Sequence, residues 1–320
     1  LLKPRLASLD RWLQRCLSAA LVLMESHAQT PMVGRTLMQQ ALPITFGVKV
    51  SHWAIGLEQS RRRLRALELP VQFGGAVGVH SGWDNLGLEW MDALAERLGL
   101  SAPVLPWHTD RYPIHALGTA LDAVAGAAEK IALDVSLLTQ TEVGEVAEPS
   151  APGMGESSSM PHKRNPVRSA MIRSAARQVH GHTSVLINAA AQPLERGLGE
   201  WHAEWAPLME SVLLVEGALE QIAVLLEGLE VYPANMWRNL AATGGGIMAE
   251  PVARLLAPTL GTDKAKAVSA EAAETARLEA RAYSEVLINH PNVQGVVELG
   301  ALRDACNPAL YLGSSEKQVQ

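Results

Sequence analysis

One Gly- and Pro-rich segment interrupts a chain with an otherwise helical pattern, and it concentrates side chains that could do chemistry. It reads GESSSMPHKRNP and covers residues 155–166. Ser157 and Ser158 offer hydroxyls on a segment whose composition permits movement toward a ligand. Lys163 offers a cation for a carboxylate, and Asn165 precedes a predicted helix N-terminus, where free N–H groups favour anions. This combination suits the binding and proton transfer of an organic polyanion; the alternative is a surface loop before a well-capped helix.

A serine is a weak base unless its neighbours stabilise the alkoxide, so Ser157 would depend on Lys163 and on nearby N–H groups. The chain has no GxSxG nucleophile elbow, which disfavours a hydrolase. The glycine clusters at 74–78 and 243–246 follow no predicted strand and match no phosphate-binding fingerprint. A nucleotide cradle is therefore disfavoured as well.

Composition narrows the class of protein further. The chain has 320 residues, 48% of them hydrophobic and 19% charged, which is typical of a globular protein with a sizeable core. A net charge of −6 disfavours nucleic acid as the main partner. Cys16 and Cys306 lack metal-ligand spacing, so we expect no structural metal and a reducing, cytoplasmic setting. No apolar run or signal peptide predicts a membrane segment.

Apolar residues in alternating steps of four and three indicate long, nearly parallel helices. They recur in two seams: Leu2, Leu6, Leu9, Leu13, Cys16, Ala20, Leu23; and Leu208, Val212, Val215, Leu219, Ile222, Leu226, Leu229. Further helices are predicted at 45–68, 84–99, 112–141, 166–190, 248–258, 263–280, 282–289 and 298–305. Since strand-type alternation is scarce, the sequence predicts an all-α fold. The first seam begins in mid-pattern, so we expect a further N-terminal portion upstream.

Turn-forming Pro and Gly residues predict a boundary between two domains. Tyr232-Pro233, followed by the glycines at 244–246, separates the long seam from shorter helices. We therefore predict a central helical-bundle domain at 1–230, with a remnant of an N-terminal region at its start, and a C-terminal helical domain at 231–320. Before the helix at 166–190, Asn165 is the predicted N-cap and Pro166 the first helical residue.

The segment GESSSMPHKRNP resembles the signature of the fumarase/aspartase superfamily, roughly GSSxMPxKxNP. GRTLMQQALPITFGVK at 34–49 is similar to the second conserved region of that superfamily. Other stretches resemble its branch of 3-carboxy-cis,cis-muconate cycloisomerases: FGGAVG, PWHTDR, TEVGEVAEP, GEWHAEW and NPALYLG. The resemblance covers nearly the whole chain and implies a long-helix bundle with a smaller C-terminal helical domain. The first conserved region of the superfamily is absent, so we expect little activity from these 320 residues alone.

The resemblance also implies roles for individual residues. Ser157 matches the catalytic acid/base of the superfamily. The matching substrate-binding positions are Thr36, Gln39, Ser158, Met160, His162, Lys163 and Asn165. Two positions depart from the pattern: Leu37 replaces the usual His, and Glu156 replaces the Gly before the serines.

Leu37 has a chemical consequence. A lyase that expels an amine or water needs a general acid, typically worth about 10²–10⁴-fold in rate. In muconate lactonisation the nucleophile is the substrate's own carboxylate, which is already ionised because its pKa is roughly 4. We therefore expect a cycloisomerase that lactonises 3-carboxy-cis,cis-muconate, or a close 3-substituted muconate, in aromatic catabolism, with Ser157 as general acid/base. The alternatives are an adenylosuccinate lyase-like C–N lyase and a non-catalytic structural relative.

The resemblance further implies the form of the enzyme. It would use no metal or organic cofactor and would act on a small dicarboxylate or tricarboxylate. It would be a homotetramer whose active sites are shared between subunits, with no nucleic-acid or membrane partner.

Replacing Ser157 tests its proposed role. For Ser157→Ala we expect turnover to fall by about 10²-fold or more, because the proton carrier is removed, while the oligomer stays intact. Steady-state rates and size-exclusion chromatography check this, with Ser18→Ala as the matched control serine. Near-normal turnover of Ser157→Ala would remove Ser157 from this role.

Overall fold

The computed structural model describes residues 2–150, 155, 160 and 162–319, which are predominantly helical. The helices are α1 Leu2–Ser26, α2 Phe46–Arg65, α3 Gly87–Leu98, α4 Tyr112–Leu138, α5 Val167–Asn188, α6 Glu200–Ala203, α7 Trp205–Glu227, α8 Pro233–Ala241, α9 Ala249–Leu260, α10 Thr262–Glu279, α11 Tyr283–Asn289, α12 Leu299–Ala305 and α13 Ser315–Val319. The strands are β1 Pro31–Thr36, β2 Gln39–Thr45, β3 Val146–Ala147 and β4 Glu230–Val231. The predicted all-α class is confirmed.

The predicted helical stretches are confirmed to within a few residues at their ends. The seam at 208–229 forms most of α7, and the stretch at 112–141 forms α4. The short helices predicted after residue 248 correspond to α9–α12. A period near 3.5 therefore located the helices, because burial of one apolar stripe is what stabilises each of them.

The chain divides into two compact units, each built from separate segments. The first comprises Leu1–Ala19, Trp53–Ser136 and Glu148–Gly228; the second comprises Ala20–His52, Leu137–Ala147 and Leu229–Gln320. The chain passes from the first unit to the second after Gly228, near the predicted boundary at 230. The assignment of two sequential domains stays a prediction.

The core of the first unit consists of the apolar stripes of long helices. From α7 it buries Val212, Val215, Leu219, Ile222 and Leu226. From α5 it buries Ile172, Ala176, Val179 and Leu186. Each fully buried Leu or Ile contributes about 1.5–3 kcal/mol of transfer free energy. The second unit has its own core, in which α9–α12 pack together and against Val33 of β1.

A β-hairpin in the second unit was not predicted. Strands β1 and β2 pair antiparallel, with Arg35 opposite Gln40 and Thr36 opposite Gln39, and a register shift falls at Gly34. A Cβ on Gly34 would lie 2.9 Å from the Leu42 carbonyl oxygen, so glycine is required there. The hairpin carries residues 34–45 of the segment that resembles the second conserved region, and the last four residues of that segment begin α2.

No helix of the described residues combines the length and the apolar character needed to cross a membrane.

His180 on α5 ties that helix to α4 within the first unit. Its Nδ1 lies 2.6 Å from Asp122 and its Nε2 3.2 Å from Glu129. Burial lowers the pKa of His180, but the hydrogen bonds to the two carboxylates outweigh it, so the pKa is raised overall. A raised folded-state pKa stabilises the fold below the unfolded pKa, roughly 6.5, and this stability is lost as pH rises through the folded value.

We expect His180→Gln to lower the free energy of unfolding at a pH of about 5.5 and to leave it nearly unchanged at about 9. Urea unfolding at both values measures this. The control is His52→Gln, the same substitution at an exposed position of α2, which should change the free energy of unfolding little. If His180→Gln lowers the free energy of unfolding equally at both pH values, protonated His180 does not stabilise the fold through Asp122 and Glu129.

Candidate active site

Thr36 and Gln39 lie on either side of the two-residue turn that joins β1 to β2. They are cross-strand partners and both are exposed, so their side chains flank one point of the surface. The turn residues Leu37 and Met38 have φ of 48° and 64°. Positive φ at both central positions is typical of a type I′ hairpin turn, which favours Asn-Gly and costs bulky side chains about 1–2 kcal/mol each. The structure thus brings together the two predicted binding residues of this segment.

Below the turn, the hairpin is anchored through a buried carboxylate. Glu145 has no exposed surface and accepts two hydrogen bonds from Arg35, at 2.9 and 2.7 Å. The Asn239 amide donates to Glu145 at 2.8 Å and to the Val143 carbonyl at 2.8 Å. Neither Glu145 nor Asn239 is among the residues predicted from the sequence, because each acts through contacts with residues distant in the chain.

A cavity of about 510 Å³ opens beside Gln39 in the second unit. Its lining is mainly polar and includes Arg35, Gln40, Glu142 and Thr243. The one guanidinium in this lining is already paired with Glu145, and Glu142 adds a negative charge. The interior of the cavity therefore favours a neutral hydrogen-bonding group or a cation, and a carboxylate bound by Thr36 and Gln39 would lie at the exposed hairpin tip instead.

In the first unit, the ends of the segment 155–165 are joined by hydrogen bonds. The Gly155 carbonyl accepts from the Asn165 backbone N–H at 2.9 Å and from its side-chain amide at 3.2 Å. Gly155 has φ of 78°, and a Cβ there would lie 2.8 Å from the Asn165 carbonyl oxygen. Only glycine fits so close to the Asn165 backbone. Through its two hydrogen bonds to Gly155, Asn165 closes the loop, in addition to the binding role predicted for it.

The other described residues of the loop face solvent. Met160, His162 and Lys163 are exposed, and the Lys163 backbone N–H donates to the Met160 carbonyl at 3.0 Å. The ammonium of Lys163, two residues before Asn165, is therefore available to an incoming carboxylate. Ser157 and Ser158, with Glu156, lie outside the described residues, so their predicted roles stay predictions.

The predicted N-cap of α5 is wrong by one residue and misses the group that caps the helix. Pro166 occupies the N-cap position and helix α5 begins at Val167. The cap is the carboxylate of Glu148, which accepts from the backbone N–H of Arg168 at 2.9 Å and of Ser169 at 2.8 Å. These N–H groups are therefore already satisfied, and the charge favoured by the helix N-terminus is supplied by the protein itself.

Among the described residues, no group of three or more His, Cys, Asp or Glu side chains is placed to hold a metal ion. In the second unit Thr36 and Gln39 offer hydrogen-bond donors, and in the first unit Asn165 offers an amide and Lys163 a cation. Such donors bind carboxylates and can stabilise charge that develops on them.

Solved structures similar to this chain include fumarate lyases and 3-carboxy-cis,cis-muconate cycloisomerases. The crystal structure of the 3-carboxy-cis,cis-muconate lactonizing enzyme from Pseudomonas putida matches with a TM-score of 0.93 and 41% identity, covering 99% of this chain and 72% of that one. A family model described as a lyase matches residues 2–181, more than half of the chain. The chain belongs to this lyase family, within the fumarase/aspartase superfamily.

Curated relatives have similar identities but different reactions in their names. Nitrosuccinate lyase from Streptomyces davaonensis is 43% identical, covering 95% of this chain and 66% of the relative. The 3-carboxy-cis,cis-muconate cycloisomerase of Pseudomonas aeruginosa is 42% identical, covering 100% of this chain and 70% of the relative. The chain thus spans about two thirds of the length of these relatives, whose named substrates are small carboxylates.

The Glu148 cap can be tested by unfolding measurements. We expect Glu148→Ala to lower the free energy of unfolding by roughly 0.5–2 kcal/mol, because two backbone N–H groups lose their acceptor. Glu148→Gln keeps an acceptor oxygen and should lose less. The exposed Glu142 belongs to the same motif, and Glu142→Ala provides the control. If the two alanine variants are equally stable, Glu148 does not cap α5.

Proposed function

We propose that the chain is part of a cycloisomerase that converts 3-carboxy-cis,cis-muconate, or a close 3-substituted muconate, to a muconolactone in aromatic catabolism. The observation that carries this proposal is Leu37. It stands in the turn between Thr36 and Gln39, with 96% of its surface exposed, where the superfamily usually has a His. An aliphatic side chain neither donates nor accepts a proton, so the reaction must proceed without proton transfer from this position.

Lactonisation meets that requirement. One oxygen of the substrate's ionised carboxylate forms a bond to a carbon of the double bond, and the π electrons move to the neighbouring carbon. That carbon lies next to another carboxylate, which accepts part of the charge. A proton from Ser157 then completes the addition, and no group leaves. Intramolecular attack also gains from a site that holds the substrate in a reactive conformation.

In this reaction Lys163 and Asn165 bind one carboxylate, and Thr36 and Gln39 bind a second. Hydrogen bonds from amides and an ammonium to carboxylates are charge-assisted and hold the substrate in a fixed orientation. Ser158, Met160 and His162 would complete the contacts from the loop. These assignments rest on the resemblance of the two motifs and on the exposure of Thr36, Gln39 and Lys163.

Elimination from nitrosuccinate is a second candidate, favoured by the 43% identity with the Streptomyces enzyme. Nitrite is the anion of an acid about as strong as a carboxylic acid, so it can leave without being protonated. Leu37 is therefore compatible with this reaction as well, whereas it disfavours the release of an amine. The two candidates share the proton transfer at carbon and differ in whether a group departs.

We further propose a cytoplasmic homotetramer. Its support is the apolar surface that the first unit leaves exposed. On α7, Met209 and Leu213 are 59% and 56% exposed, and on α5, Met171 is 50% exposed. Packing against further copies would remove this surface from water, which stabilises an assembly.

A substrate panel on the full-length protein tests the proposal. We expect the ultraviolet absorbance of 3-carboxy-cis,cis-muconate to fall through loss of its conjugated diene, and Ser157→Ala to slow this fall by about 10²-fold or more. Nitrite release from nitrosuccinate without turnover of the muconate would favour the second candidate. Release of AMP from adenylosuccinate would overturn both, and neither turnover nor binding of any substrate would identify a non-catalytic relative.

A further inference from the structure

The cross-strand pair directly below Thr36 and Gln39 is Arg35 and Gln40. Both members of the pair are fixed by the same part of the second unit, although they lie on different strands. Arg35 is held by Glu145, and the Gln40 side-chain amide donates to the Asn239 carbonyl at 3.2 Å. The last row of the hairpin before its turn is therefore fixed on both sides.

The two anchors are joined to each other. Asn239 on α8, whose carbonyl accepts from Gln40, also donates through its side chain to Glu145 and to the Val143 carbonyl. The anchor of Gln40 is thereby bonded directly to the anchor of Arg35. Asn235, one helical turn earlier, donates to the Gly144 carbonyl at 2.6 Å. Helix α8 thereby holds the segment 143–145 at several points, and this segment supplies the buried carboxylate.

The turn above this row needs such support. Leu37 and Met38 occupy the left-handed region without the glycine that would relieve it, and both side chains are exposed. The turn itself therefore gains little packing energy to offset its backbone strain. Strained backbone persists where the surrounding structure determines it, which here is the row formed by Arg35 and Gln40.

We propose that Glu145 and Asn239 are positioning residues that hold the hairpin tip so that Thr36 and Gln39 present their side chains to substrate. The proposal rests on the function proposed above only in its reference to substrate. Glu145 has no exposed surface and therefore acts through the hairpin, and Asn239, which lines the cavity beside Gln39, supports it through its hydrogen bond to Glu145. Because tip contacts would bind ground state and transition state alike, their loss should raise KM more than it lowers kcat.

The test is Glu145→Gln, which keeps the shape of the side chain and removes its charge. We expect amide hydrogen exchange in a peptide covering residues 31–45 to quicken by about tenfold or more. We expect KM for 3-carboxy-cis,cis-muconate to rise by a similar factor with kcat changed less than about threefold. Arg35→Lys is the second variant should Glu145→Gln not fold, because it keeps the charge and loses the two-pronged geometry.

The matched control is a second two-pronged pair in the first unit, Arg15 with Glu227, at 2.6 and 2.7 Å. Glu227→Gln and Arg15→Lys make the same chemical changes and should leave both the exchange of 31–45 and KM unchanged. Unaltered hairpin exchange in Glu145→Gln and Arg35→Lys overturns the proposal, as does faster exchange with an unchanged KM. If the unsubstituted protein turns over no muconate, the proposed reaction fails, and hydrogen exchange alone decides whether Glu145 positions the tip.

Discussion

A carboxylate with no exposed surface must be paired inside the protein. In the second unit this carboxylate is Glu145, and the residues next to it must supply its hydrogen-bond donors. Leaving such a charge unpaired would cost several kcal/mol, so Arg35 and Asn239 are bound to it by necessity. Arg35 belongs to the hairpin and Asn239 to α8. The need to pair the Glu145 carboxylate thus fixes Arg35, and with it the position of the hairpin tip.

Three residues further along the chain, the partly buried Glu148 is also paired within the first unit. Its carboxylate accepts from the backbone of α5, and its own carbonyl accepts from Arg164 at 2.8 Å. The motif TEVGEVAEP therefore contributes two glutamates whose described contacts are structural, although acidic residues beside a catalytic-type loop suggest acid–base chemistry. Each glutamate supports a segment that carries proposed binding residues, the hairpin in one unit and the loop at 155–165 in the other.

The sequence predicted the helices well and the local geometry of the site poorly, for physical reasons. A helix such as α7 is encoded by the period of its own apolar residues. The hairpin turn carries Leu37 and Met38 in place of Asn-Gly, so the usual signal was missing. The cap of α5 comes from Glu148, far upstream in sequence, whereas local rules favoured Asn165. Contacts between residues distant in sequence leave no short-range pattern to recognise.

Residue 37 connects the geometry of the turn with the choice of reaction. Histidine enters the left-handed region more readily than most residues, whereas leucine does so at a cost in free energy. Leucine at position 37 therefore lacks the proton donor and strains the backbone more than histidine would. What leucine offers in exchange is an apolar surface between Thr36 and Gln39. In an assembled site that surface would displace water and strengthen the hydrogen bonds to a carboxylate. Such a turn suits a substrate that needs to be held firmly and needs no proton from it, which describes an ionised acid closing on its own double bond.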